Sequence, residues 1–400
     1  MKNGFALIAA FLAVLMGTPL VALGQSARIQ PASDSALLAK AVDPSTLKSL
    51  PEASPAPAAA STSATIALDV VVAGKSGTPV SGLQAGEFKL LDNKQPQSLD
   101  SVRAAYGLKA QTDPPAEVFL VIDAINVPFL ARANQRQWLM DFFNENHGKL
   151  ALPTSLLVLT DNGISEQNQP TRDGGALLRV LDASHAGFMQ IRRDERLQGA
   201  LLREEDSLKA LNLFALQQSK RPGRKLFIWL GSGWSVASNP MSIGGLKKRQ
   251  NIYNYIASLS TALREARITL YDVIPGSGFG RGDIYMTYVK GVSDTNHVDL
   301  GDLSLPVLAT QTGGQVLMGS SDLADLIDRC VMDAKVNYVL TFKPPPAAHP
   351  NEYHAIQVQL DRPGLKARTR SGYYTPPAHN EQPPVAISLQ EPTAVKGTPE

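Results

Sequence analysis

Cysteine is nearly absent from this sequence, since Cys330 is the single cysteine among 400 residues. One cysteine cannot form an intrachain disulfide, which excludes a disulfide-stapled fold. Cys330 stands in an apolar pattern with Leu323, Leu326 and Ile327 at helical spacing. That spacing predicts a small core residue on an amphipathic helix and not a reactive thiol.

An excess of charge of one sign is also missing. The chain has 38 Lys and Arg against 36 Asp and Glu, for a formal net charge of +2. This balance supplies no bulk attraction to nucleic acid or to an anionic membrane surface. We therefore expect no nucleic-acid partner.

Long apolar runs are confined to the N-terminus, at residues 5–16. Lys2 precedes this run, and the small residues Ala22 and Gly24 follow it. The order of charge, apolar run and small residues is typical of a signal peptide, here residues 1–24, cleaved before Gln25. The run is short for a membrane span, although an uncleaved anchor stays open. We expect export to the periplasm or the extracellular space, with no membrane span after cleavage.

Shifts in composition divide the rest of the chain. The predicted segments are a signal peptide at 1–24, a disordered Pro/Ala/Ser linker at 25–63, a small β module at 64–112, an α/β domain at 113–335, β strands packed on the core at 336–375, and a disordered tail at 376–400. The linker and tail are assigned as disordered because they hold too few apolar residues to offset the entropy of ordering.

The α/β domain is predicted from four apolar runs that alternate with helical patterns. The runs are residues 117–123, 155–160, 225–230 and 267–274. Continuous apolar strands are expected where both faces of a sheet are covered. Alternation of strands with helices predicts a doubly wound, mostly parallel sheet with helices on both faces.

Catalytic motifs fail on their spacing. The six histidines form no HxxxH or HExxH pair, which disfavours a zinc site. Gly231-Ser232-Gly233 is not the GxSxG of a nucleophile elbow, although a hydrolase using Ser232 stays an alternative. The glycines of residues 276–282 do not have GxGxxG spacing. We expect a protein that is not an enzyme and that uses no cofactor.

Several motifs, in this order along residues 66–376, resemble one family. They are Gly77-x-Pro79-Val80-x-Gly82-Leu83 before Phe88, Pro222-Gly223-Arg224-Lys225 before an apolar strand, Leu308-Ala309-x-x-Thr312-Gly313-Gly314, and Arg362-Pro363-Gly364-Leu365 before Gly372-Tyr373-Tyr374. This ordered set resembles the von Willebrand factor type A (VWFA)-related proteins that bacteria secrete and that are abundant in acidobacteria. The resemblance implies a Rossmann-like VWFA domain flanked by β segments.

The resemblance also implies where a Mg²⁺ or Mn²⁺ ion would bind. In VWFA domains the loop after the first strand reads Asp-x-Ser-x-Ser, and a Thr and an Asp from later loops complete the site. Here Asp123 matches, but Ile125 and Val127 stand at the serine positions. Ser232 stands at the later Asp position, and Asn126 offers an oxygen only from a position that the standard site does not use. Because a hard dication needs several oxygen ligands, we expect a degenerate site without a metal.

The leading hypothesis is an adhesion-type module that binds a protein or an envelope component. In open α/β sheets, ligands bind at the carboxyl ends of the strands. The candidate binding residues are therefore Asp123, Asn126, Asp161, Ser232 and Trp234, with Trp234 as a contact anchor on a glycine-rich loop. A metal-dependent adhesion domain with Asp123 as a ligand is the main alternative.

Overall fold

The computed structural model describes residues 65–105, 116–183, 197–234, 245–275, 283–378 and 382–389. These residues belong to one compact unit of the chain, Ala60–Glu400. The predicted signal peptide, the predicted linker and the glycine-rich loop at 276–282 lie outside the described residues. Within the described ranges, no helix combines the length and the apolar character that crossing a membrane requires.

The strands of the described residues are numbered in chain order. They are β1 (Ile66–Ala73), β2 (Phe88–Asp92), β3 (Gln95–Gln97), β4 (Ser101–Ala104), β5 (Glu117–Asp123), β6 (Lys149–Thr160), β7 (Gly163–Glu166), β8 (Thr171–Asp173), β9 (Lys225–Leu230), β10 (Ile268–Ile274), β11 (Val316–Met318), β12 (Tyr338–Phe342), β13 (Tyr353–Leu360), β14 (Lys366–Arg368) and β15 (Gly372–Tyr374). The α-helices are α1 (Phe129–Asn144), α2 (Gly174–Ala183), α3 (Leu197–Gln218), α4 (Leu246–Glu265), α5 (Leu305–Gln311) and α6 (Leu323–Lys335).

The central sheet has seven strands and is mostly parallel. Its order is β11-β10-β9-β5-β6-β7, and β8 pairs with β6 beside this path. The first five strands of the path pair in parallel, whereas β7 and β8 run antiparallel to β6. Read from the β7 end, the path is β7-β6-β5-β9-β10-β11. Numbering these six strands in chain order from β5 gives 3-2-1-4-5-6, the order of a doubly wound sheet. The predicted α/β class with a mostly parallel sheet is therefore confirmed.

Helices cover both faces of the central sheet. Phe119 and Val121 of β5 belong to a hydrophobic core that includes residues of α3, α4 and α5. Leu120 of the same strand points to the opposite core, which includes residues of α1, α2 and α6. Cys330 is buried in this second core, where its Sγ donates to the carbonyl of Leu326. The core role predicted for this cysteine is confirmed.

The remaining strands form two four-stranded sheets that share one hydrophobic core. One sheet has the order β14-β1-β12-β4 and the other β15-β13-β2-β3. Their shared core contains Leu68 of β1, Phe88 of β2, Leu340 of β12 and Val358 of β13. The sequence predicts a small β module at 64–112 and, separately, β strands packed on the core at 336–375. The structure corrects this division, because strands from both stretches pair with each other in both sheets.

Part of the C-terminal tail is ordered against the helices. Leu389 is 0% exposed, and Ser258 Oγ donates to the carbonyl of Pro384 over 3.0 Å. Asn212 Nδ2 donates to the same carbonyl over 3.3 Å. The predicted disorder of residues 376–400 is therefore wrong for residues 382–389. Prolines prevent a helix there, but side chains of α3 and α4 satisfy the backbone carbonyls instead.

Candidate functional site

The topological switch point of the central sheet lies between β5 and β9. These two strands are parallel neighbours, with Ile122 paired to Leu230. The helix that follows β5 packs on one face of the sheet, and α4, which follows β9, packs on the other. Such a divergence opens a crevice at the carboxyl ends of the two strands. Asp123 and Ser232 both lie at this crevice, one at the end of each strand.

Asp123 is held by four hydrogen bonds from its own chain. Its Oδ1 accepts from the amides of Ile125 (3.1 Å) and Asn126 (2.7 Å). Its Oδ2 accepts from Asn126 Nδ2 (2.9 Å) and from the indole of Trp229 (3.0 Å). The side chain is 0% exposed, and burial raises its pKa although the donated hydrogen bonds oppose that shift. Two loop amides thus donate to Asp123, and the side chains of Asn126 and Trp229 are the two further donors.

Asn126 connects the loop after β5 to helix α3. Its Nδ2 donates to Ser207 Oγ over 2.9 Å as well as to Asp123. Ser207 Oγ in turn donates to the carbonyl of Arg203 over 2.7 Å. Sequence reasoning did not identify Ser207. The helical pattern contained a signal for it: Ser207 is next to Leu208 and one turn before Leu211, which places it on the side of α3 that faces the core.

Apolar side chains fill the space beside Asp123. Ile125 and Val127 are both buried. A Cβ added to Gly231 would lie 2.5 Å from Val127 Cγ2 and 2.7 Å from Gln135 Nε2. Gln135 Nε2 donates to the carbonyl of Leu230 over 3.1 Å, which fixes the amide beside the turn. Glycine is required at position 231 because this packing leaves no room for a side chain and because its φ is 114°.

Two further ionisable groups are buried in this part of the fold. Arg132 is buried in α1, where burial lowers its pKa and the charge of Asp123 opposes that shift. The chain thus places a cation of its own within reach of the Asp123 charge. Glu204 is buried on α3, one turn before Ser207, and burial together with Glu205 raises its pKa to about 8.

Trp234 is a core residue, which corrects its predicted role as a contact anchor. The side chain is 4% exposed, and its indole donates to the carbonyl of Leu303 over 2.7 Å. The ring packs edge-to-face on Trp229 with centroids 5.1 Å apart. The adjacent Gly233 allows this burial, since a Cβ there would lie 2.4 Å from Leu305 Cδ2. Glycine-rich loops are often exposed, but here the missing side chains let the tryptophan pack inward.

Asp161 lies on the exposed rim of the carboxyl edge. It occupies the turn between β6 and β7 together with Asn162, and both residues are exposed. The Asn162 amide donates to Thr160 Oγ1 over 3.2 Å, which stabilises the turn. Ser232 is partly exposed at the crevice. Of the five predicted binding residues, the structure therefore gathers Asp123, Asn126 and Ser232 at the crevice and leaves Asp161 on the rim.

The described histidines contact other residues than Ser232. His297 pairs with Asp294 over 2.6 Å, and His354 pairs with Asp92 over 2.7 Å. His349 contacts the carbonyl of Pro350, and His147 lies before β6 at the opposite edge of the sheet. A Ser-His pair of the kind that hydrolases use is not formed by these four histidines.

The residues present at the crevice do not fit a Mg²⁺ or Mn²⁺ ion. Both oxygens of Asp123 already accept two hydrogen bonds each, and Ile125 and Val127, at the two serine positions, carry no side-chain oxygen. Ser232 offers a single hydroxyl oxygen where the standard site uses a carboxylate. Across the described residues, no group of three or more His, Cys, Asp or Glu side chains could hold a metal ion. A hard dication would have to displace the existing donors and would gain few oxygens in return.

Comparison with known proteins gives no family assignment. No family profile matches the chain. No curated protein matches it either. Solved structures with some similarity include the human COPII-coat protein Sec24c (8% identity, TM-score 0.33), with 66% of this chain and 44% of that chain covered. The chain therefore spans less than half the length of that protein.

Two smaller structures also show some similarity. They are the N-terminal domain of TFIIH p34 (10% identity, TM-score 0.29), with 54% of this chain and 96% of that chain covered, and the conserved hypothetical protein BatB from Bacteroides thetaiotaomicron (12% identity, TM-score 0.27), with 55% and 98% covered. These scores are too low to carry a statement about function.

Proposed function

We propose that this chain is an exported, non-enzymatic binding protein with a VWFA-like domain. Its carboxyl-edge loops recognise a protein or an envelope component of the cell, and recognition needs no divalent cation. The strand order 3-2-1-4-5-6 and the helices on both faces support the VWFA-like domain. The charge, apolar and small-residue pattern of residues 1–24 supports export.

The hydrogen bonding of Asp123 carries the proposal. In a metal-dependent site this carboxylate would present an oxygen to an ion that in turn binds a carboxylate of the partner. Here the loop amides, Asn126 and Trp229 satisfy the carboxylate within the chain. Asp123 therefore shapes the loop after β5 and does not present charge to a partner.

The surface available to a partner is then the rim and not the floor of the crevice. Asp161 and Asn162 are exposed on that rim, whereas Trp234 and Asp123 are buried below it. Recognition by shape and by exposed polar side chains follows from this arrangement.

The test immobilises this protein and measures how much of its partner it retains from the envelope fraction of the source cells. The double variant Asp161→Ala/Asn162→Ala removes polar groups at the carboxyl rim. The matched control Ser219→Ala/Lys220→Ala removes exposed polar groups before β9, at the opposite edge of the same sheet. We expect the rim variant to lose retention at least about tenfold, or about 1.4 kcal/mol, with no loss for the control.

The same retention assay is repeated in EDTA and in millimolar Mg²⁺. Equal retention in both solutions is expected for a cation-independent partner. Loss of retention in EDTA, restored by Mg²⁺, would contradict the proposal and favour the metal-dependent alternative. Equal loss in the rim and control variants would show that the carboxyl edge is not the binding surface.

A further inference from the structure

Residues 382–389 lie in a groove between helices α3 and α4, and they belong to neither a helix nor a strand. Polar side chains of both helices hold this segment. Asn212 of α3 donates from Nδ2 to the carbonyls of Pro384 and Val385, each over 3.3 Å. Asn212 is itself 0% exposed, so its amide is a buried donor that the segment satisfies.

Leu389 is held at both of its main-chain groups. Its amide donates to Glu205 Oε1 of α3, and its carbonyl accepts from Lys248 Nζ of α4 over 2.9 Å. Its side chain is buried in the core that includes residues of α3 and α4, and Ile387 packs against the same core. Hydrogen bonds to main-chain groups do not depend on side-chain identity, so the groove suits other extended peptides that carry the same aliphatic pair.

The segment does not fill the groove. A cavity of about 610 Å³ remains beside it, within the range of about 300–1,000 Å³ that is typical of ligand pockets. Ala386 and Ser388 line this cavity from the segment, and Asn254 and Thr261 line it from α4. Small residues of the segment therefore stand where a peptide with larger side chains would contact the helix.

Detachment of the segment would leave the sheets of the fold intact. The last described strand, β15, ends at Tyr374, and no described strand pairs with residues 382–389. Pro383 and Pro384 lack amide donors and favour an extended backbone. A chain end without sheet hydrogen bonds opens at a lower free energy than the whole fold does. The segment is thus a ligand of the groove that the chain itself supplies.

We propose that the groove between α3 and α4 binds an extended, proline-containing peptide of a partner protein, and that residues 382–389 occupy it as an intramolecular competitor. The partner peptide carries aliphatic residues at the positions of Ile387 and Leu389, and larger side chains than those of Ala386 and Ser388. Proline-containing peptides suit such grooves because their extended conformation is already formed before binding. This site shares no residue with the carboxyl rim.

The covalent connection determines how strongly the segment competes. A segment on the same chain acts at an effective concentration in the millimolar range. The apparent affinity for an added peptide is reduced by the fraction of time that the groove is closed by the segment. Weakening the segment therefore raises the affinity of the groove for a peptide in solution.

The first experiment measures fluorescence anisotropy of a labelled peptide of residues 382–389, amidated at its C-terminus, with the full chain. The chain variant Leu389→Ala weakens the competitor, and we expect it to bind the peptide at least about tenfold more tightly than the wild type does. Val385→Ala, at an exposed position of the segment, is the control and should bind as the wild type does. The peptide variant Ala386→Leu should bind about threefold more tightly than the native peptide, because it buries apolar surface in the cavity.

A matched pair of variants tests whether the peptide binds in this groove. Lys248→Met, added to the Leu389→Ala chain, removes the donor to the Leu389 carbonyl and should weaken peptide binding. Lys247→Met removes the neighbouring exposed charge and should leave binding unchanged. Equal peptide affinities of the wild type and the Leu389→Ala chain would overturn the proposal, and so would equal effects of the two lysine variants.

The second experiment measures hydrogen exchange of the wild-type chain and needs no variant to fold. The Leu389 amide should exchange at a lower free energy of opening than the amides of β5, and added peptide should speed its exchange. Exchange of Leu389 and β5 at the same free energy would overturn the proposal, because the segment would then open only with the whole fold. A wild-type dimer in sedimentation that is lost in Leu389→Ala would also overturn it, since the occupant would then be the tail of a second copy.

Discussion

Replacing Glu204 by Gln should stabilise the protein at alkaline pH. Glu204 is 9% exposed on α3, and burial followed by repulsion from Glu205 raises its pKa to about 8 from an ordinary value of 4.5. At neutral pH the folded chain therefore holds a proton on this carboxyl. The unfolded chain releases that proton near pH ~4.3.

The sign and size of the effect follow from this difference in proton binding. Between pH ~4.3 and about 8 the folded state binds more protons than the unfolded state, so the free energy of unfolding falls as pH rises. Below this window the contribution of Glu204 to the free energy of unfolding is fully present, and above the window that contribution is lost. A shift of this size corresponds to at most ~5 kcal/mol, at ~1.4 kcal/mol per pH unit.

The assay is urea denaturation of the wild type and of Glu204→Gln at pH 5, 7 and 9. The glutamine cannot ionise, so the variant should gain stability over the wild type progressively, reaching several kcal/mol at pH 9. Asp206→Asn is the control, because Asp206 is exposed on the same helix. A difference between Glu204→Gln and wild type that does not change with pH would refute the reasoning.

Three further outcomes are expected. Leu389→Ala should lower the free energy of unfolding by about 2–5 kcal/mol in urea denaturation, because Leu389 is fully buried. Val385→Ala, at an exposed position of the same segment, should lower it little. Equal small losses in both variants would mean that the tail does not pack against the helices. Trp234→Phe should lower the free energy of unfolding by about 1–3 kcal/mol, because the carbonyl of Leu303 loses its donor, and should leave partner retention unchanged. Lost retention without lost stability would mean that the Trp234 ring contacts the partner. Titration calorimetry with millimolar Mg²⁺ or Mn²⁺ should show no saturable heat, and a heat that vanishes in Asp123→Ala would contradict the engaged carboxylate.

The central strands could be predicted because each one is a continuous run of apolar residues in the sequence. The apolar runs at 117–123 and 225–230 coincide with β5 and β9, since strands covered on both faces need apolar residues throughout. β7 and β8 were missed because they are short and only partly buried, with little apolar pattern. The pairing of β1 with β12 was missed because a local pattern does not say which distant strand is the partner.

The candidate site was predicted in part for similar reasons. Ile125 and Val127 cannot bind a cation, and that chemistry was readable from residue type alone. The roles of Trp229, Ser207 and Arg132 depend on which side chains the fold brings to Asp123. Trp234 was misjudged because its glycine neighbours indicate a loop but not whether that loop packs against Leu303 and Leu305.

The two four-stranded sheets that share one core form a β sandwich, and the whole α/β domain interrupts this sandwich in the chain. The polypeptide leaves the sandwich at Ala105 and returns at Asn337, where the Ala105 amide donates to the Asn337 carbonyl over 2.9 Å. During synthesis, β1 to β4 therefore emerge from the ribosome long before β12 to β15 exist to pair with them. Their apolar faces have no partner strands while some 230 residues are translated, which takes on the order of 10–50 s at typical translation rates. The nascent strands are open to aggregation for that time. A folded α/β domain holds residues 105 and 337 close together, which shortens the loop that β1 to β4 must close to reach their partner strands.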